Sequence, residues 1–150
     1  MSRGVILTVG NGMMGDDAAG PLLARLIRGA PLEGWEVVDG GEMPENWLGR
    51  LEALAPEQVL VVDAADMDLA PGEIRQIDEH RIESAFLMTT HSLPLTFLLQ
   101  AIREFAPKVD LIGIQPEVVA FGYPLSPAVR RAVEKVYNGL RQNRWEWETL

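Results

Sequence analysis

Apolar residues fall in two alternating patterns along the chain. One is a short unbroken run, and the other is a stripe at helical spacing. Val5-Ile6-Leu7-Thr8-Val9 is unbroken, as in a strand covered on both faces of a parallel sheet, so residues 4–9 are predicted as the first strand. Leu22, Leu23, Leu26 and Ile27 follow at helical spacing and predict a helix over about 17–28. Pro21 suits its first turn, Gly29 its stop, and Asp16 or Asp17 its N-cap. The second strand is short, Trp35-Glu36-Val37-Val38, and ends in Asp39-Gly40-Gly41-Glu42. Pro44 then opens a helix with Trp47, Leu48, Leu51 and Leu54 on one stripe. The third strand, 58–62, is again continuously apolar and is expected to end at Asp63, with a loop to Asp68. Pro71-Gly72 turns into a fourth strand at 73–77, which is more polar and is assigned to a sheet edge.

Residues 78–86 are read as a short helical turn. Leu95, Leu98, Leu99, Ile102 and Phe105 stripe a helix over about 93–106, and a fifth strand covers 109–114. An irregular stretch runs from Gln115-Pro116 to Tyr123. Ser126-Pro127 is an N-cap and N1 pair for a last helix carrying Val129, Ala132, Val133, Val136, Tyr137 and Leu140. The tail from Asn143 has no such pattern and is expected to fray. Alternating strands and helices imply one α/β domain over residues 1–150, a three-layer α/β/α arrangement with a mostly parallel sheet. Such sheets bind ligands beyond the carboxyl ends of their strands. That rule singles out Asp16 and Asp17, Asp39, Asp63 and Gln115.

Composition narrows the partners. A net charge of −9 argues against nucleic acid or an anionic membrane, and leaves a basic peptide or a metal cation. The absence of cysteine removes disulfides, thiolate metal sites and a cysteine nucleophile together. No apolar run approaches the roughly 20 residues of a membrane span. The run after Gly4 is too short for a signal peptide, so a cytoplasmic protein is expected.

Gly10-x-Gly12-x-x-Gly15 matches a dinucleotide-binding fingerprint, and Asp39 lies where its ribose-binding acid would stand. Asp16 and Asp17, however, place negative charge where the pyrophosphate would sit. No cofactor-binding residue is therefore assigned, and a cation is the better fit. Asp17 reads equally as a cap or a ligand. Asp63, after four apolar residues, is placed at the mouth of the sheet. Of the two histidines, His80 lies among Asp78, Glu79, Arg81 and Glu83 and reads as a solvated surface residue. His91 stands just before a helix, whose N-terminus disfavours imidazolium and keeps the ring able to bind metal. Asp17, Asp63 and His91 thus form a two-carboxylate, one-imidazole set suited to a divalent ion: nickel, zinc, manganese or iron. Neither His-Glu-x-x-His nor Gly-x-Ser-x-Gly is present.

These residues resemble the nickel-iron hydrogenase maturation proteases over nearly the whole chain. The likeness runs through Val9-Gly10-Asn11, Gly15-Asp16-Asp17, Gly20-Pro21, Asp39-Gly40-Gly41 and Pro44-Glu45-Asn46. It continues through Val61-Val62-Asp63-Ala64, Pro71-Gly72-Glu73, Thr89-Thr90-His91 and Gly113-Ile114-Gln115-Pro116. Met13-Met14, Met88 and Gly113-Ile114 are most similar to the branch acting on the formate hydrogenlyase hydrogenase. The resemblance implies a twisted five-stranded sheet between helices. It also implies an endopeptidase that removes a C-terminal extension from the hydrogenase large-subunit precursor after nickel insertion. Asp17, Asp63 and His91 would hold the metal-ligand positions, where many members carry a glutamate in place of Asp17. Asp39 matches a position tied to activity, which makes Asp17, Asp39, Asp63 and His91 the expected catalytic set. Nickel would arrive on the substrate, other divalent metals could occupy the site, and the protein is expected to be a monomer. A nickel-binding chaperone without cleavage is the alternative of a different class.

Overall fold

The computed structural model describes residues 4–78, 86–87 and 94–150. In chain order these form β1 (Gly4–Thr8), a 3-10 turn (Gly15–Ala18), α1 (Ala19–Gly29), β2 (Trp35–Asp39) and a second 3-10 turn (Pro44–Trp47). There follow α2 (Leu48–Ala53), β3 (Gln58–Asp66), β4 (Ile74–Ile77), β5 (Phe86–Leu87), α3 (Leu95–Arg103), β6 (Lys108–Ile114) and α4 (Pro127–Arg141). The sheet order is β2-β1-β3-β6-β4, with the two-residue β5 paired separately to β3. β2, β1, β3 and β6 run parallel, while β4 is antiparallel to β6 and β5 to β3. The architecture is thus the mostly parallel α/β sheet expected, with the polar fourth strand at its edge. The helical turn expected over 78–86 falls mainly on 79–85, outside the described residues.

Strand alternation explains the three layers. Val5, Leu7, Val59 and Val61 pack on one face with Leu51 of α2 and with Leu95, Leu98, Leu99 and Ile102 of α3. Ile6, Leu60 and Val62 pack on the other with Leu22, Leu23 and Ile27 of α1 and with Val129, Val133 and Val136 of α4. Each such side chain withdrawn from water stabilises the fold by roughly 1.5–3 kcal/mol. Gly20 sets how closely α1 approaches the sheet: a Cβ there would lie 2.3 Å from the Val9 carbonyl oxygen. Among the described residues, no helix is long and apolar enough to cross a membrane.

Three expectations change. β3 does not stop at Asp63 but continues to Asp66, because Asp63 pairs with Gly113, Ala64 with Ile114 and Ala65 with Leu87 of β5. Neither Asp16 nor Asp17 caps α1, which starts at Ala19 behind the 3-10 turn. The tail does not fray either. The Gln76 amide donates to the Glu148 carbonyl at 2.9 Å and the Leu150 amide to the Gln76 carbonyl at 3.0 Å, covering the outer edge of β4. Trp145 meets Trp35 edge-on with ring centres 5.5 Å apart. An edge strand presents unpaired peptide groups, and pairing with them needs no apolar periodicity in the tail.

Candidate active site

The loop leaving β1 is built around Asp17. Gly10 turns the chain at φ +137°, a conformation that excludes side chains, and a Cβ there would strike the Asp17 carbonyl oxygen. The Asn11 amide then donates to Asp17 Oδ2 at 2.8 Å, and Asn11 Oδ1 accepts from the Met13 amide at 2.8 Å. The amides of Gly10, Met14, Asp16 and Asp17 donate to the carbonyls of Gly41, Asn11, Val118 and Met14 respectively. With six amides of the fingerprint loop engaged inside the protein, a pyrophosphate would have to displace its own cradle. The loop is a carboxylate holder, and the dinucleotide reading of Gly10-x-Gly12-x-x-Gly15 fails on this geometry.

Asp16 and Asp17 are both fully buried but do different work. Asp16 Oδ2 accepts from the amides of Glu117 at 2.8 Å and Val118 at 3.1 Å, and from Ser126 Oγ at 2.9 Å. Asp16 Oδ1 accepts from the Ser126 amide at 2.7 Å. One carboxylate thus holds both ends of the β6–α4 connection, an anchoring role that reading Asp16 as a local cap missed. Its partners lie about a hundred positions away, so no local signal could have found them. Ser126 does precede Pro127 at the N-cap of α4, as expected, but its hydroxyl turns to Asp16 instead of capping.

Asp63 is also fully buried. It alternates with Val61 and Ala65, which places it on the sheet face covered by α2 and α3. The 3-10 turn carrying Asp17 packs against β3, so the two carboxylates sit on neighbouring elements at the carboxyl end of the parallel strands. α3 enters from that same end, since its C-terminus leads through a short connection to the start of β6. His91, three positions ahead of Pro94, lies outside the described residues, as does His80. Asp39 reaches the same end but a different face. It pairs in register with Thr8, accepts from Thr8 Oγ1 at 3.1 Å, and alternates with Val37 toward α1 and α4. Gln115, singled out by the strand-end rule, is a structural clamp. Its Oε1 accepts from the amides of Met67 at 2.6 Å and Leu69 at 3.2 Å, and its Nε2 donates to Asp66 Oδ1 at 3.1 Å.

Two carboxylates removed from water at one sheet end create a negative potential that favours a divalent cation or a cationic group. Among the described residues, no three His, Cys, Asp or Glu side chains gather as a complete ligand set. Asp17 and Asp63 are the part of the expected set that the described residues contain.

The geometry matches known proteins along its length. A family model described as HycI, hydrogenase maturation protease, matches residues 23–142. The chain is 49% identical over 142 residues to the hydrogenase 3 maturation protease of Escherichia coli K12, covering 95% of this chain and 90% of that protein. The solution structure of the endopeptidase HycI from Escherichia coli superposes with a TM-score of 0.91 at 45% identity, covering 99% of this chain and 96% of that one. The crystal structure of the [NiFe] hydrogenase maturation protease HycI from Thermococcus kodakarensis gives a TM-score of 0.83 at 29% identity, covering 94% and 91%. Sequence and fold agree from β1 to the tail, and the chain therefore belongs to the hydrogenase maturation proteases, making it a peptide-bond hydrolase of hydrogenase assembly.

Proposed function

We propose that this endopeptidase removes a C-terminal extension from a nickel-iron hydrogenase large-subunit precursor after nickel insertion. The nickel held by the precursor docks on Asp17, Asp63 and His91 and places the scissile bond. The observation that carries this reading is the pair of fully buried carboxylates, Asp17 and Asp63, on neighbouring elements at the carboxyl end of the sheet. Burial and the Asn11 amide fix the Asp17 oxygens before substrate arrives, so little ordering remains at binding. Carboxylates with one imidazole and no thiolate bind a free divalent ion modestly, which suits a metal delivered on the substrate. A precursor without nickel loses those contacts. A deficit of about 3 kcal/mol would weaken its binding roughly a hundredfold.

An alternative role for the metal is to activate water, with Asp39 as general base. The placement of Asp39 on the opposite sheet face from Asp63 favours a supporting role for it, holding the end of β1 through Thr8. The Asp63→Asn variant tests the assignment, because it keeps shape and removes a ligand charge. It is expected to fold normally and to lose processing of nickel-loaded precursor, while Asp68→Asn, on the exposed loop beyond β3, keeps it. Normal processing by Asp63→Asn would end the ligand role.

A further inference from the structure

The large apolar side chains that the described residues leave exposed are concentrated at one end of the molecule. Phe121, Met13 and Tyr123 are 71%, 62% and 57% exposed. The loops that carry them adjoin, because the Gly122 amide donates to the Met13 carbonyl at 2.9 Å and joins the β6–α4 connection to the glycine loop. Val118 belongs to the same connection. Met43 and Trp47 follow β2, and Phe97 is in the first turn of α3, so these exposed groups too stand at the carboxyl end of the strands. The described connections at this end are acidic. The connections 9–18, 40–47, 67–73 and 115–126 contain no Lys or Arg, and Glu42, Asp68 and Glu117 are exposed on them.

We propose that the patch of Met13, Phe121 and Tyr123 is the docking platform for the polypeptide flanking the scissile bond. Its occupant is a precursor segment bearing apolar side chains and net positive charge. This rests on the cleavage reading above and names what that site recognises besides metal. Three observations support it. The patch is continuous with the candidate active site, because the glycine loop supplies both Met13 and Asp17. The platform is held to the site by Asp16, which grips residues 117, 118 and 126 and is the chain neighbour of Asp17. Exposed aromatic and methionine side chains are typical anchors of protein interfaces, and the acidic connections beside them favour a cationic partner. A second copy of this chain would set like charges against each other, so self-association is the weaker fit.

The test is steady-state cleavage of nickel-loaded precursor by the wild-type protein and by Phe121→Ser and Tyr123→Ser, at low and high NaCl. The variants are surface changes, and urea unfolding is expected to match wild type. KM is expected to rise about tenfold in each with kcat within about twofold, as for loss of one interface anchor. The wild-type KM is expected to rise with salt. In a charge pair at one position, Phe121→Lys is expected to bind precursor more weakly than Phe121→Glu, which separates recognition from any effect on folding. Nickel-dependent cleavage by wild type with unchanged KM in both serine variants overturns the platform and leaves the cleavage reading standing. Failure of wild type to cleave loaded precursor overturns the cleavage reading and the platform with it. A concentration-dependent dimer dissolved by Phe121→Ser, with KM unchanged, overturns the proposal in favour of self-association.

Discussion

Replacing Asp16 with alanine should be among the most damaging single changes to stability in this chain. The wild-type carboxylate is fully buried and accepts four hydrogen bonds, from the amides of Glu117, Val118 and Ser126 and from Ser126 Oγ. A hydrogen bond to a charged group contributes about 1.5–3 kcal/mol. The bonds from Glu117 and Val118 are part-buried, so water can replace the carboxylate there, whereas both Ser126 bonds are buried. Counting only the buried pair gives a loss of about 3–6 kcal/mol, a large fraction of an ordinary domain's stability of about 5–15 kcal/mol. Asp16→Asn should fall between. Its amide group must face the Ser126 amide in one orientation, or the Glu117 and Val118 amides in the other, so at least one acceptor is lost either way. The assay is urea unfolding followed by tryptophan fluorescence. With a urea slope of about 2 kcal/mol per molar, a loss of 4 kcal/mol moves the midpoint by about 2 M. An Asp16→Ala protein unfolding within about 1 kcal/mol of wild type would refute the anchoring role, since one lost buried bond already exceeds that.

Two further outcomes follow from the packing. Gly20→Ala should lower Tm, because a Cβ 2.3 Å from the Val9 carbonyl oxygen pushes α1 off β1. Overpacking costs roughly 1–3 kcal/mol, more than the ~1 kcal/mol gained in helix propensity, and a raised Tm in a thermal melt would contradict this. Deleting residues 148–150 should uncover the edge of β4 and produce concentration-dependent association in sedimentation; a truncated chain that stays at its starting size with an unchanged Tm would show the tail pairing to be dispensable.

Much of the fold was legible because the core elements repeat. The unbroken runs in β1 and β3 marked strands covered on both faces, and the Leu95–Ile102 stripe marked the helix that covers one of them. The more polar β4 marked the edge. The illegible parts depend on distant partners. The extension of β3 past Asp63 follows from pairing with β6 and β5, while in the sequence a carboxylate reads as a strand end. The tail reads as frayed because pairing with a strand edge leaves no periodic mark. Strand ends and the glycine turn were sufficient to place Asp17, Asp39 and Asp63 at the carboxyl end of the sheet, where the structure has them. Which of the two adjacent aspartates anchors the β6–α4 connection was not legible, because Asp16 is distinguished only by Glu117, Val118 and Ser126. The opposite facing of Asp39 and Asp63 needed the register of β1 between β2 and β3.

In the proposed function, buried carboxylates at the sheet end read nickel carried by the substrate. Its most direct test is digestion of nickel-loaded and nickel-free large-subunit precursor side by side, at equal concentration and with no added metal. A shortened product is expected from the loaded precursor and none from the nickel-free form over the same time. Equal cleavage of both would contradict it and leave the metal no part in recognition.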